Sequence, residues 1–123
     1  MAQNFKKSIS SVVTGIKKQI DQNPTNGIST AALAGNAGIS RNVLQEVFKA
    51  KYGTSIGQYK LQVRMAEAKH QLKSGKSIKE ITIMLHYSSP SSFSNAFRNF
   101  YQLSPTEWLE QARYYNANKQ GKI

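Results

Sequence analysis

Apolar residues recur along this chain of 123 residues at helical spacing, and no segment alternates as a strand would. Residues about 4–21 place Phe5, Ile9, Val12, Val13, Ile16 and Ile20 on one face, and "DQNPTNG" then ends the helix. Ser29 is expected to cap a short helix, 30–36, with Leu33 and Ala34 inside. Ser40 caps the next, 41–52, where Val43, Leu44, Val47 and Phe48 face inward and Gly53 stops the chain. Ser55 opens a long helix through Ile56, Tyr59, Val63, Ala66 and Leu72, ended by Ser74-Gly75. Ser77 opens a helix over 78–86 with Ile78, Ile81 and Leu85 inward. Ser89 with Pro90 opens 90–101, whose face carries Phe93, Ala96, Phe97 and Phe100. Ser104 with Pro105 opens a last helix containing Trp108 and Leu109. The pattern predicts an all-α chain of about seven helices.

Two stretches repeat. "ISRNVLQEVFKAKYGTSIGQY" (39–59) matches "SSPSSFSNAFRNFYQLSPTEW" (88–108) at an offset of 49 residues. Ser40 pairs with Ser89, Leu44 with Phe93, Phe48 with Phe97, Ser55 with Ser104 and Tyr59 with Trp108. Upstream, Leu33 pairs with Ile81 at offset 48, so the second turn is one residue longer. Each copy reads as a short helix, a tight turn and a second helix: a helix-turn-helix. The predicted organisation is an N-terminal helix packing on the first subdomain (1–27), a first helix-turn-helix (28–54), a linker helix (55–75), a second helix-turn-helix with its closing helix (76–112) and a tail (113–123).

Charge narrows the partner. Seventeen Lys and Arg face six Asp and Glu, a net +11. Between Arg41 and Lys79 nine basic residues face two acids, Glu46 and Glu67, so the excess is concentrated mid-chain. A polyanion is implied, nucleic acid first and an anionic membrane surface second. There is no cysteine, which removes disulfides and cysteine-ligated metal and suits a reducing cytosol, and no apolar run long enough to span a bilayer. The two histidines, His70 and His86, have few carboxylates near them in sequence, so no metal is expected. His70 is placed exposed on the linker helix and His86 at a turn. No catalytic site and no cofactor site is identified.

In a helix-turn-helix the second helix packs its apolar stripe inward and turns its opposite face to the major groove. On 41–52 that face holds Asn42, Glu46 and Lys49, with Gln45 beside it; on 90–101 it holds Ser91, Asn95 and Arg98, flanked by Ser94. Asn and Gln can bond adenine through two atoms at once, Glu can accept from cytosine N4, and Ser can serve either class of base. Small Ser91 and Ser94 let a helix lie deep in a groove. The linker helix, about 27 Å long at 1.5 Å per residue, suits two reading helices about one DNA turn, ~34 Å, apart. Because the two helices differ in sequence, the expected site is asymmetric.

These residues resemble the AraC/XylS-type transcription regulators over about 28–110. The resemblance rests on "ISTAALAGNAGIS", "VLQEVFKAKYGTSIGQY", "RMAEAKHQL" and above all "SIKEITIMLHYSSPSSFSNAFRNFYQLSPTEW". It implies two homeodomain-like helix-turn-helix subdomains joined by a long central helix, and sequence-specific binding of double-stranded DNA at promoters in the cytoplasm, usually activating transcription through RNA polymerase. By position it implies base reading by Asn42, Gln45 and Glu46 in the first helix and by Pro90, Ser91 and Asn95 in the second. Ser40, Arg41, Lys49, Ser94 and Arg98 sit where the DNA backbone is contacted. Many relatives have Ala-x-x-x-Gly-Phe where this chain has Thr82, His86 and Tyr87, Arg at Asn95 and Gly at Gln102. His86 and Gln102 are therefore expected to adopt a left-handed conformation at a small local cost. Without Arg at 95 and with Pro at 90, the second helix has few strong donors, and specificity is expected to rest mainly on the first. Most members carry a separate ligand-sensing or dimerisation domain ahead of this part, where this chain has about 27 residues.

The competing reading is a basic helical module for a protein partner or an anionic membrane. "FKKSISSVVTGIKKQI" is cationic and amphipathic and could lie on lipid. It could equally pack Val12, Ile16 and Ile20 on the first subdomain, and that packing is the expectation.

Overall fold

The structure, a computed structural model, describes residues 8–121, with side chains through 116. Phe5, expected on the first helix, lies outside them. Seven helices and no strand occur among the described residues.

The chain divides into two compact units, residues 1–63 and 64–123. The first contains α1 (Ile9–Gln22), α2 (Thr30–Asn36), α3 (Arg41–Tyr52) and the start of α4 (Ile56–Lys73). The second contains the rest of α4, then α5 (Ile78–Met84), α6 (Pro90–Tyr101) and α7 (Pro105–Gly121). The boundary therefore falls inside α4 rather than in a loop. Helix α7 runs on to Gly121, into the segment read from sequence as a tail.

Every helix opens on a serine. The hydroxyls of Ser8, Ser29, Ser40, Ser55, Ser77, Ser89 and Ser104 each accept from the backbone N–H three residues on, at 3.0–3.1 Å. Each bond satisfies one of the amides that a helix start leaves without an intrahelical partner. Ser77 and Ser104 also receive a glutamate in return, since their own N–H groups donate to Glu80 and Glu107 at 2.9 Å. The sequence marks six of the seven caps; Ser8 is the one missed, because the apolar register of α1 extends upstream of it.

In the first unit α1 and α2 pack on α3. The core holds Val13, Ile16, Ile20, Leu33, Ala34, Leu44, Phe48 and Ile56, with Val47, Tyr52, Tyr59 and Val63 against it. In the second, α5 and α7 pack on α6. Its buried residues are Met65, Ala68, Leu72, Ile81, Thr82, Leu85, Phe93, Phe97 and Pro105. Ala66, expected inside, is exposed, and Met65 and Ala68 are buried in its place. The physical reason is that α4 serves two cores: the stripe Ile56, Tyr59, Val63 ends, and a second stripe, Met65, Ala68, Leu72, starts out of register with it.

The two turns have the same backbone bonding. After α2, Gly38 N–H donates to Gly35 and Ile39 N–H to Ala34, at 3.1 and 3.0 Å. After α5, His86 N–H donates to Ile83 and Tyr87 N–H to Thr82, also at 3.1 and 3.0 Å. Both are Schellman closures, whose C′ residue must be left-handed. Gly38 has φ +75°, and His86 takes φ +65° in the equivalent place. At the ends of α3 and α6, Gly53 has φ +76° and Gln102 φ +68°. The left-handed conformation expected at His86 and Gln102 is present at both. The second turn closes α5 at Met84, two residues before the end read from sequence.

Candidate nucleic-acid interface

Helix α3 buries Leu44 and Phe48 and leaves Asn42, Gln45, Glu46 and Lys49 exposed. Spacings of three, four and seven residues put them on one side of the helix. Helix α6 does the same: Phe93 and Phe97 are buried, while Pro90, Ser91, Asn95 and Arg98 are exposed and Ser94 is half-buried. Ser40 and Arg41 stand exposed at the start of α3. The side chains of Asn42, Gln45, Glu46, Ser91 and Asn95 make no hydrogen bond to any described residue, so their donors and acceptors are turned to solvent. The candidates thus form two faces, one on each unit.

The serines of α6 divide by task. Ser89 caps the helix, and its hydroxyl also donates to Ser92 Oγ at 3.0 Å. Ser88 and Ser92 hydroxyls lie 3.2 Å apart. Ser88 and Ser92, which sequence reasoning did not single out, thus stiffen the start of the helix, while Ser91 remains on the outer face. The only prior signal for Ser92 was its place three residues after the cap.

Four of the six carboxylates have hydrogen-bond partners within the fold. Glu80 and Glu107 serve the two capping boxes, and the serine backbone N–H each accepts from holds both below the ordinary glutamate value of 4.5. Glu67 accepts from the Gln71 amide at 2.5 Å. Asp21 accepts from the Tyr59 hydroxyl and pairs with Lys17 at 3.1 Å, the one ion pair within 4 Å among the described residues. Arg41 and Lys49 are left exposed and available to a polyanion, and Arg98 is exposed with the Glu107 carboxylate in its field.

No G-x-S-x-G constellation is expected in this chain, yet the spelling occurs once. Gly53-Thr54-Ser55-Ile56-Gly57 has the letters of a G-x-S-x-G nucleophile motif. That motif needs a strand–turn–helix, whereas Ser55 follows α3 and caps α4 by accepting from Gln58 N–H at 3.1 Å. It is a cap.

The model of a family described as a helix-turn-helix domain matches residues 33–111. A crystal structure of a transcriptional regulator of the AraC-type DNA-binding-domain proteins from Chromobacterium violaceum is 30% identical. It superposes with a TM-score of 0.73 over 82% of this chain and 91% of that one. The chain belongs to the AraC/XylS-type helix-turn-helix family. Among curated relatives, the Msm operon regulatory protein of Streptococcus mutans is 30% identical over 105 residues, 85% of this chain and 38% of that protein. This chain spans about a quarter to two fifths of the first curated relatives it matches. The DNA-binding domain of AdpA, solved in complex with a target DNA, shares the fold at TM-score 0.69 and 22% identity, covering 94% of this chain and all of that one. The AraC/XylS-type regulators are DNA-binding proteins, and this chain is of their helix-turn-helix type. Among the described residues no helix is long and apolar enough to cross a membrane.

Proposed function

We propose that this chain reads double-stranded DNA with two recognition helices, α3 and α6, each in its own major-groove segment, and that base specificity rests mainly on α3. The observation that carries the reading is the matched pair of exposed polar faces, each on the second helix of a repeat. Asn42, Gln45 and Glu46 are the base readers of the first; Pro90, Ser91 and Asn95 are those of the second. Ser40, Arg41, Lys49, Ser94 and Arg98 contact the backbone. The basic excess supports the same partner, because uncompensated Lys and Arg release counterions from a duplex. The capture of AdpA on a target DNA supports it by shared fold.

The output we assign is activation of transcription, with RNA polymerase as the further partner, as the resemblance implies; a promoter–reporter fusion in a bacterial host decides between activation and repression. A lipid surface is disfavoured because α1 buries Val13, Ile16 and Ile20 in the first core, the residues that lipid would need.

Selection of bound duplexes from a random library tests the reading. The expected product is an asymmetric site with a strong half and a weak half, about one helical turn between their centres. A palindromic site, a single short half-site or no enrichment at all overturns the two-helix reading.

A further inference from the structure

The repeat extends further back than the two helix-turn-helix segments. Val13, Ile16 and Ile20 of α1 are buried, and so are Met65, Ala68 and Leu72 of α4, each 52 residues on. Helix α1 in the first unit and the second half of α4 in the second are therefore equivalent elements. Lys17 and Lys69 are equivalent by the same step.

Both lysines do the same thing. Lys17 Nζ lies 5.5 Å from the ring centre of Tyr52 and 5.1 Å from that of Tyr59. Lys69 Nζ lies 3.7 Å from the ring centre of Tyr101 and 5.2 Å from that of Trp108. The rings are themselves joined through a buried phenylalanine. Phe48 is 4.8 Å from Tyr52 and 5.6 Å from Tyr59; Phe97 is 4.8 Å from Tyr101 and 6.2 Å from Trp108. Each unit thus contains a cage, a lysine ammonium over linked aromatic rings, with a second and more distant ammonium at the edge: Lys51 Nζ is 6.0 Å from the ring centre of Tyr52, and Lys73 Nζ 5.7 Å from that of Trp108. Tyr52 and Tyr101 are the last residues of α3 and α6.

We propose that Lys17 and Lys69 are positioning residues for DNA reading, each pinning the C-terminal end of one recognition helix and so fixing that helix's axis. This rests on the reading of α3 and α6 as the base-contacting helices. A helix anchored only by its buried stripe can still pivot about it. A cation held over the ring that ends the helix, by a helix from earlier in the chain, opposes that pivot, and base contacts tolerate only sub-ångström play. The cages differ in their further ties: in the first, Tyr52 also donates to Thr14 Oγ1 at 3.4 Å and Lys51 to Ser10 Oγ at 2.5 Å. Asp21 gives Lys17 a counter-charge and accepts from Tyr59, whereas Lys73 stands 52 residues on from Asp21 and points its own ammonium at Trp108, at 5.7 Å.

The test uses the full chain with Lys17→Met and Lys69→Met, which keep the stem and lose the cation, and Lys17→Arg and Lys69→Arg, which keep it. Binding is measured on the selected duplex and on its single-base variants. Lys17→Met is expected to weaken discrimination at least about fivefold at the base pairs that Asn42 and Gln45 define. Lys69→Met should do so at those that Asn95 defines. The slope of affinity against salt should stay as in the wild type, and both Arg variants should restore discrimination. Trp108 is the single tryptophan of the chain, so its emission should change in Lys69→Met and not in Lys17→Met. Unchanged discrimination in both Met variants, or a uniform loss with a salt slope lower by about one, overturns the proposal. If circular dichroism shows a Met variant unfolded, the Arg variant decides: wild-type discrimination supports positioning, and altered discrimination overturns it. A wild-type chain that selects no sequence overturns the DNA reading and this proposal together, whereas a selective wild type with indifferent Met variants overturns this proposal alone.

Discussion

Ser77 and Glu80 cap each other: the serine hydroxyl accepts from the glutamate N–H at 3.1 Å, and the carboxylate accepts from the serine N–H at 2.9 Å. Ser104 and Glu107 repeat the exchange at the start of α7 with the same two distances. Both helix starts belong to the second unit, so that unit carries a common sensitivity to acid.

The sign of that sensitivity follows from the direction of the shift. A carboxyl held below its ordinary value stabilises the fold fully above that value, here 4.5, and the contribution is lost as pH falls through the folded value. Thermal melts should therefore be nearly flat between about pH 8 and pH 5 on this account and fall below about 4.5. The double variant Glu80→Gln/Glu107→Gln should make the acid-side fall shallower, because an amide oxygen accepts the same bond without titrating. A fall of undiminished steepness in that variant would assign the acid sensitivity to other groups.

His86 and Gln102 occupy left-handed positions that glycine fills in the first repeat. A residue with a Cβ is strained there by about 1–2 kcal/mol, and glycine returns part of that through its more flexible unfolded chain. His86→Gly should raise stability by about 0.5–1 kcal/mol, a few degrees in melting temperature. Gln102→Gly should gain less, because the Gln102 amide donates to the Asn99 carbonyl at 3.0 Å and that bond would be lost. Denaturant titration of both variants gives the comparison, and a loss of stability at His86→Gly would mean that the imidazole makes a contribution larger than the strain.

On the DNA side, Asn42→Ala and Gln45→Ala should each cost about 1–3 kcal/mol at particular base pairs and relax preference there. Lys49→Ala should weaken all duplexes alike and lower the salt slope by about one. Ser91→Ala should be tolerated better than Gln45→Ala. Competition binding against a panel of single-base variants separates these outcomes; a uniform loss in Gln45→Ala would remove it from the base readers.

Phe48 and Phe97 are fully buried in different units. Truncating a buried phenylalanine costs about 3–5 kcal/mol. Native-state hydrogen exchange should therefore show protection falling first in α1–α3 for Phe48→Leu, and first in α5–α7 for Phe97→Leu, with the milder leucine chosen to keep both variants folded. Protection lost equally throughout in both variants would mean that the two cores unfold as one.

Much of this molecule is written in short-range signals. A serine followed by a helical apolar stripe locates six helix starts, because the hydroxyl-to-amide bond needs only three residues of chain. The offset between Phe48 and Phe97 reveals the duplication for the same reason: both sit on single-stripe helices that bury one side. Helix α4 was legible in extent but not in facing. Its two stripes are out of register, so a single periodicity carried through Val63 lands on Ala66 and misses Met65 and Ala68. The candidate faces of α3 and α6 follow from their buried stripes, and the structure leaves nearly all of those residues exposed. The cages around Lys17 and Lys69 were not legible. Each joins residues from three helices, and lysine looks like any solvated surface charge until the ring beneath it is placed.

The unit boundary between Val63 and Arg64 lies in the middle of an unbroken helix, where every amide bond is protected by its own turn. A protease that cleaves between folded modules would find no extended stretch at that junction. A cut there would leave Ile56, Tyr59 and Val63 with one core and Met65, Ala68 and Leu72 with the next, but each on a short helical stub that has lost the backbone bonds running across the junction. Shared ownership of one helix means that scission at the border gives each duplicated half a frayed end beside its own core.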